Sequence, residues 1–429
     1  MQPKSPGAAG QFGPRRDPLR GLRVDGARLL ALLDELATIG ADPAGGLSRL
    51  GFGPADNAAR RHLAGVAAAA GLASRVDEAG NVFVFRRGRA FPADRPILLL
   101  GSHLDTVRRG GSLDGAYGVV AAVEVLRTLD ENGIELRNEP VAVAFANEEG
   151  ALFPQPFWGS MAMTGALREP GAATDRNGTS IRAALAEAGG DLDRIEAARW
   201  PAGRLAAFLE LHVEQGPVLA EAGIPIGVVT AVVGRTILDV TVSGSQNHAG
   251  TTPMDRRADA LAAAAELVLA VEELARYRQE CAVATVGALR AEPGQTNVVP
   301  GRVELTVELR DADPARLRAG EAELLKAFDE LAGRRGVGVD SNVTLRSSPV
   351  QTSAHLREAV QDAAAALDLA CRPLPSGAGH DAQIMAGLAP SGMIFVPSTG
   401  GVSHAPEEHT DPRLLVSGAD TLLQTALRA

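Results

Sequence analysis

The stretch Ile97-Leu-Leu-Leu-Gly-Ser-His103-Leu-Asp105 decides how the rest of the chain is read. Ile97 to Leu100 is a short, continuous apolar run, the pattern of a strand covered on both faces. It ends in a histidine and a carboxylate. The same grammar recurs three times. Val141-Ala-Val-Ala-Phe145 leads into Asn147-Glu148-Glu149-Gly150, and Leu205-Ala-Ala-Phe-Leu209 into Glu210-Leu-His212-Val-Glu214-Gln215-Gly216. Met393-Ile-Phe-Val396 leads into the loop Ser403-His404-Ala-Pro-Glu407-Glu408. Sites in open α/β sheets form beyond the carboxyl ends of strands, so these four exits are expected to converge. Asp114, in the turn Gly110-Gly-Ser-Leu-Asp114-Gly115, adds a further carboxylate. Three histidines and several carboxylates make the ligand inventory of a two-metal hydrolytic site, with one glutamate left for proton transfer.

Around these strands the apolar spacing predicts helices near Ala27 to Ile39, with Leu29, Leu30, Leu33 and Leu36 on one stripe, Ala55 to Ala70 and Gly118 to Leu129. Asp56 is expected to serve as a charge at a helix N-terminus. Val82 to Phe85 reads as a further strand. Alternating strands and helices argue for an α/β sheet with helices on both sides. The character changes after about Val233. A strand at Ile237 to Ser243, a helix at Ala258 to Ala275, strands at Cys281 to Leu289 and Val303 to Leu309, a helix at Pro314 to Arg334 and a strand near Val343 to Arg346 follow. That order, β-α-β-β-α-β, is ferredoxin-like and implies a two-layer unit with one helical and one open face. His404 must rejoin the other ligands, so the middle unit is expected to be an insertion. The expected division is a flexible tail at 1–23, a catalytic domain at 24–232 and 349–429, and an inserted domain at 233–348, hinged near Val233 and Ser348.

A chain of 429 residues, 45% of them hydrophobic, suits about two or three domains, consistent with that division. Aromatics make up only 3%, so the cores must be built mainly from Ala, Val and Leu. The net charge of −10 without a basic cluster argues against a nucleic-acid partner. Cys281 and Cys371 form no CxxC pattern, and are expected as buried thiols in a reducing cytoplasm. No segment reads as membrane-spanning, and the Pro-, Gly- and Arg-rich start lacks the apolar core of a secretory signal.

Each ligand carries a chemical expectation. Asp105 is spaced to accept the second ring N–H of His103, fixing its tautomer and raising its basicity. Asp114 sits where one carboxylate can reach two metals. Glu148 and Glu149 diverge on an extended exit, so one binds metal while the other stays free as a base. His62, His355 and His409 lack such a setting and are expected in surface or supporting roles.

These residues resemble the peptidase M20 metallohydrolases, and within them the amidase, hydantoinase and carbamoylase branch. That branch holds N-carbamoyl-L-amino-acid hydrolases, β-ureidopropionases and allantoate amidohydrolases. The likeness runs from about Arg23 to the C-terminus. It rests on the motifs already quoted and on Gly101-Ser-His-Leu-Asp105-Thr106, His248-Ala-Gly-Thr-Thr-Pro-Met254 and Gly379-His-Asp381. The resemblance implies a three-layer α/β/α metallohydrolase domain carrying a ferredoxin-like lid that also dimerises. It implies two divalent ions, Zn or else Mn, Co or Ni, bridged by Asp114. His103 and His212 would complete one seat, Glu149 and His404 the other. Glu148 would be the general base, with Asp105 beside it among the catalytic residues. Arg310 would fork onto a substrate carboxylate, as guanidinium geometry favours. His248 and Asn297 would stabilise an oxyanion, in part across a homodimer interface, and Gln215 and His380 would touch substrate. Phe153 to Ser160 and Arg235 are less typical of the branch and leave the substrate open. The implied reaction is hydrolysis of an N-carbamoyl-L-amino acid, with allantoate or N-carbamoyl-β-alanine as alternatives. A binding protein that kept the fold and lost catalysis is the rival from another class.

Overall fold

The computed structural model describes residues 18–88 and 95–429. Of the expected tail, residues 1–17 lie outside that range. The remainder is docked: the Gln424 side chain donates to the carbonyls of Leu19 and Leu22 at 2.9 Å each, and Leu22 packs on the core.

The larger sheet runs, in order, Leu72–Val76, Val82–Arg86, Glu139–Phe145, Ile97–His103, Leu205–Val213, Ser391–Val396, Ile226–Val232 and Val350–Gln351, with Cys371–Ser376 also pairing Ile226–Val232. Four neighbours are mutually parallel: Glu139–Phe145, Ile97–His103, Leu205–Val213 and Ser391–Val396. These are the strands whose exits carry the candidate ligands, so their carboxyl ends open on one side.

The alternation of side chains along each strand builds two cores. Leu98, Leu100, Ala142, Leu209, Leu211, Ile394 and Val396 face helices Gly26–Thr38, Ala116–Glu131 and Pro412–Ala426. Ile97, Leu99, Val141, Phe145, Phe208 and Phe395 face the opposite layer, which includes Met163 and Met385. That makes three layers. Each buried Phe contributes roughly 1.5–3 kcal/mol by leaving water. Helix Gly26–Thr38 starts at Asp25, whose carboxylate accepts from the amides of Ala27 and Arg28. Its buried stripe is Leu29, Leu32, Leu33 and Leu36, with Leu30 only partly covered. Asp56 lies in the first turn of helix Pro54–Ala69, as expected; it is fully buried, accepts the Phe52 amide at 2.9 Å and pairs with Arg60.

The second sheet runs Gly338–Ser347, Gly234–Ser243, Arg302–Asp311 and Val283–Glu292, all antiparallel. In chain order that is 4-1-3-2. Helices Ala260–Arg276 and Pro314–Arg335 cover one face through Leu267, Val271, Leu324 and Phe328 against Leu238, Val240, Leu305 and Val307. A small ribbon, Asn247–His248 with Val298–Val299, stands apart from this sheet. Among the described residues no helix is long and apolar enough to cross a membrane.

Candidate metal centre

The four strand exits meet at Asp114. Its Oδ1 lies 3.1 Å from His212 Nε2 and 3.6 Å from His103 Nε2, and its Oδ2 lies 3.0 Å from His404 Nε2. Glu149 Oε1 is 3.5 Å from His404 Nε2, and Glu148 Oε2 is 3.7 Å from His103 Nε2. Two ligand sets result, each with its donor atoms within 4.8 Å of one another: His103, Asp114 and His212, and Asp114, Glu149 and His404. Asp114 belongs to both. A further set, Glu210, His212 and His380, shares His212 with the first.

The donors fit divalent ions. They are nitrogen and oxygen without thiolate, a set that suits Zn, Mn, Co or Ni. Glu149 Oε1 is buried and has no hydrogen-bond partner among the described residues, a costly state for a carboxylate unless a cation meets it.

Local backbone explains the convergence. Asn147, Gln215 and His404, on three of the exits, have positive φ of 49°, 63° and 54°. Such non-glycine conformations cost on the order of 1–3 kcal/mol and persist where the surroundings hold them. The Asn147 amide donates to Phe153 and Gln155 carbonyls, and Ser398 Oγ accepts the Gln215 amide N–H at 2.9 Å. Gly115 has φ +65°, and a Cβ there would overlap the His103 ring. Glu408 ties two loops together. Its Oε2 accepts the amides of Leu113 and Asp114 at 2.8 and 3.1 Å, and its Oε1 accepts Ser403 Oγ at 2.8 Å.

The expected residues divide as follows. His103, Asp114, Glu148, Glu149, His212, Gln215, Arg310, His380 and His404 line one cleft of about 240 Å³, with Arg235, Pro156 and Phe157. Asp105 does not hold His103 through its carboxylate. His103 Nδ1 meets the backbone carbonyl of Asp105 at 3.0 Å, and the carboxylate oxygen stands off at 3.8 Å. Its two oxygens instead accept the amides of Glu148 and Glu149, at 3.1 Å each, so Asp105 fixes the paired glutamates. Gln215 Nε2 donates to Asp114 Oδ2 at 3.0 Å and so braces the shared carboxylate. His380 is buried, its Nε2 on Ser376 Oγ at 2.8 Å and its ring 4.7 Å from that of His212. His248 and Asn297 are exposed on and beside the small ribbon and do not line the cleft. His62 pairs with Glu35 at 2.8 Å, His355 contacts Ser353, and His409 is exposed.

Sequence reasoning missed the support beneath. Glu210 accepts Ser102 Oγ and the Ala382 amide, and Ser160 Oγ donates to Asp381 Oδ1 at 2.6 Å. Glu408 was visible in the His404 loop, but no local pattern links it to the Asp114 turn.

Electrostatics follow from crowding buried charges. Burial works against the Asp114 carboxylate, yet His103, His212 and His404 hold it well below its usual range. Burial also works against a charged His103, but Glu148, Asp114 and Asp105 raise it well above the ordinary imidazole value. Burial pushes Glu148 well up, with Glu149 adding to it against the opposing pull of His103. Burial and Asp114 raise Glu149 to about 7, and the Asp114 hydrogen bond raises His404 to about 9. Burial and His212 hold His380 well below the usual value, so it is neutral.

A cation needs His404 neutral and Glu149 ionised, and near neutral pH both sites still hold protons in the metal-free protein. Metal binding is therefore expected to release protons at pH 7. Affinity should climb as pH rises through about 7 and about 9, where Glu149 and His404 lose their protons, and His103 and His212, both raised, add to the same trend. Calorimetry in buffers of different ionisation heat should find proton release on metal binding at pH 7; binding without release there would contradict the assignment.

The model of peptidase family M20/M25/M40 matches residues 99–428. An N-carbamoyl-L-amino acid amidohydrolase of Geobacillus stearothermophilus is 40% identical over 405 residues, 94% of this chain and 98% of that protein. The allantoate amidohydrolase of Escherichia coli is 38% identical over 90% of this chain and 94% of its own. Among solved structures, a hydantoinase/carbamoylase family amidase from Burkholderia multivorans superposes with a TM-score of 0.86 at 37% identity, covering 95% of this chain and 98% of that one. With the match spanning most of the chain and the ligand sets gathered at Asp114, the protein belongs to peptidase family M20/M25/M40.

Proposed function

We propose that this chain hydrolyses the C–N bond of a linear ureido carboxylic acid, with an N-carbamoyl-L-amino acid going to amino acid, CO2 and ammonia as the leading case. The observation that carries it is one buried carboxylate, Asp114, shared by two ligand sets beside a free-standing glutamate. Two divalent ions in those seats would supply Lewis acidity and a water acidic enough to attack at neutral pH. His103 and His212 would hold one, Glu149 and His404 the other, and Asp114 both.

Glu148 accepts the proton of the attacking water and returns it to the departing amine. Its burial and raised proton affinity suit both tasks. Asp105 holds the backbone of the two glutamates, keeping the base and the ligand apart. Arg310, anchored by Gly377 O at 2.6 Å and Glu308 at 3.1 Å, presents its guanidinium to the substrate carboxylate. Gln215 acts through Asp114, and neutral His380 forms the cleft wall. The cavity of about 240 Å³ falls below the usual range for drug-sized ligands and suits a small acid. The names of the relatives support the same chemistry, and allantoate and N-carbamoyl-β-alanine are the alternatives.

The inserted unit, residues 233–348, is read as a lid and a dimerisation module. Strand Val283–Glu292 ends its sheet with an open edge among the described residues, exposing Val283 and Leu289, and Leu269 and Tyr277 are exposed on and next to the helix Ala260–Arg276. In a homodimer the exposed His248 and Asn297 are read as serving the other subunit's cleft. Leu289→Arg should shift a dimer toward monomer in sedimentation; a wild-type monomer would remove this reading. The two free cysteines suit a cytoplasmic setting.

The test of function is a panel of N-carbamoyl-L-amino acids, N-carbamoyl-β-alanine and allantoate, assayed with Zn, Mn, Co or Ni. Ammonia release that chelation abolishes supports the reaction; a protein inert on all of them with saturating metal is the silent binder. On the best substrate Arg310→Lys should lower kcat/KM by about tenfold or more, and less on the matching carboxamide, because Lys lacks the two-pronged grip. Equal losses on both would count against the clamp.

A further inference from the structure

Arg235 and Arg310 sit directly opposite each other on adjacent strands. The register pairs Arg235 of Gly234–Ser243 with Arg310 of Arg302–Asp311, and both side chains line the cleft. Residues so paired have Cβ atoms about 4.5–5.5 Å apart, and like charges there are destabilising. One carboxylate attends both. Glu308 Oε2 takes Arg310 Nη2 at 3.1 Å, while its Oε1 lies 4.0 Å from Arg235 Nη1 and is buried with no hydrogen-bond partner among the described residues. Two guanidinium groups against one glutamate leave one positive charge facing the cleft.

The two arginines are not equivalent. Arg310 is anchored by Gly377 O as well as Glu308. The Arg235 guanidinium makes no hydrogen bond among the described residues and meets Glu308 only at the 4.0 Å ion-pair distance, while its backbone amide donates to Ser347 Oγ at 3.2 Å. Its donors therefore remain available to whatever enters. A monocarboxylate gripped by Arg310 leaves the second guanidinium with only the shared Glu308 oxygen, at 4.0 Å, in a partly enclosed site.

We propose that Arg235 is a specificity residue, a second anion seat that makes the cleft favour ureido acids carrying two carboxylates over those with neutral side chains. Because the two guanidinium groups spring from neighbouring strand positions, the carboxylates they take must lie close together. An aspartate or glutamate skeleton meets that spacing. This rests on the ureido-acid reading and adds to it the substrate class.

The test compares N-carbamoyl-L-aspartate and N-carbamoyl-L-glutamate with N-carbamoyl-L-asparagine and N-carbamoyl-L-glutamine on the metal-loaded enzyme. Each pair keeps its shape and changes only the charge. The wild type should prefer the acids by about tenfold or more in kcat/KM, as a charge-assisted pairing provides. Arg235→Met should bring the acid-to-amide ratio close to one, and Arg235→Lys should restore part of it. A wild-type ratio near one overturns the proposal without any variant. So does an Arg235→Met loss equal on acids and amides, which would mean both arginines grip one carboxylate. If none of the four is turned over, the reaction itself is misread, and calorimetry with the same compounds decides the seat. Tighter binding of the acids that Arg235→Met removes sustains it, and equal affinities overturn it.

Discussion

Glu148→Gln is expected to keep the protein's metal and lose at least about two orders of magnitude in kcat. Glu148 contributes to neither of the two sets that meet at Asp114. Its carboxylate faces His103 across 3.7 Å and is otherwise enclosed. The amide of Gln fills the same space and keeps the backbone bond to Asp105, so folding and metal content should not change. What it cannot do is take a proton. Glu149→Gln supplies the contrast: it removes a ligand, so metal content should fall along with rate. Metal analysis of both variants, beside single-substrate kinetics, separates the roles. Unchanged turnover in Glu148→Gln would remove the base assignment.

The two glutamates also mark where reading a sequence stops. Their position after a buried strand was legible, because Val141 to Phe145 is an unbroken apolar run and open α/β sheets gather sites at strand ends. The order of the elements around the second sheet was legible for a similar reason: long helical stripes separate well-alternating strands. Strand Cys371–Ser376 was not, because Pro373 and Pro375 mask it; among the described residues it pairs only with Ile226–Val232. Asp105 shows a different limit. Its spacing from His103 predicts a carboxylate–imidazole contact, but the exit bends so that the backbone carbonyl meets the ring and the carboxylate turns to the Glu148 and Glu149 amides. Such a choice depends on a neighbouring strand, and no local pattern encodes it. Glu408 is the same case at longer range, since it reaches the amide of Asp114 from 294 residues away. His248 and Asn297 fall outside the cleft because their ribbon stands apart from both sheets, which motif matching alone does not reveal.

Asp114→Asn should have the widest effect of any single substitution in the site. Each of its oxygens faces a different imidazole set: Oδ1 faces His212 and His103, and Oδ2 faces His404, with Gln215 Nε2 also on Oδ2. Asn replaces one oxygen with an NH2 donor. Turned toward His404, that donor meets the Gln215 amide nitrogen, donor against donor. Turned toward His212, it removes the oxygen from the other seat. Either orientation leaves a seat short of its anionic ligand and also removes the charge common to both. Metal content should fall from two ions to one or fewer per chain, with kcat down by about three orders of magnitude or more. Fold should survive, since the amides of Leu113 and Asp114 stay bonded to Glu408. Inductively coupled plasma analysis after dialysis measures the metal, and circular dichroism the fold. A variant retaining two tightly held ions would show that Asp114 is not shared, and the two-seat centre would have to be abandoned.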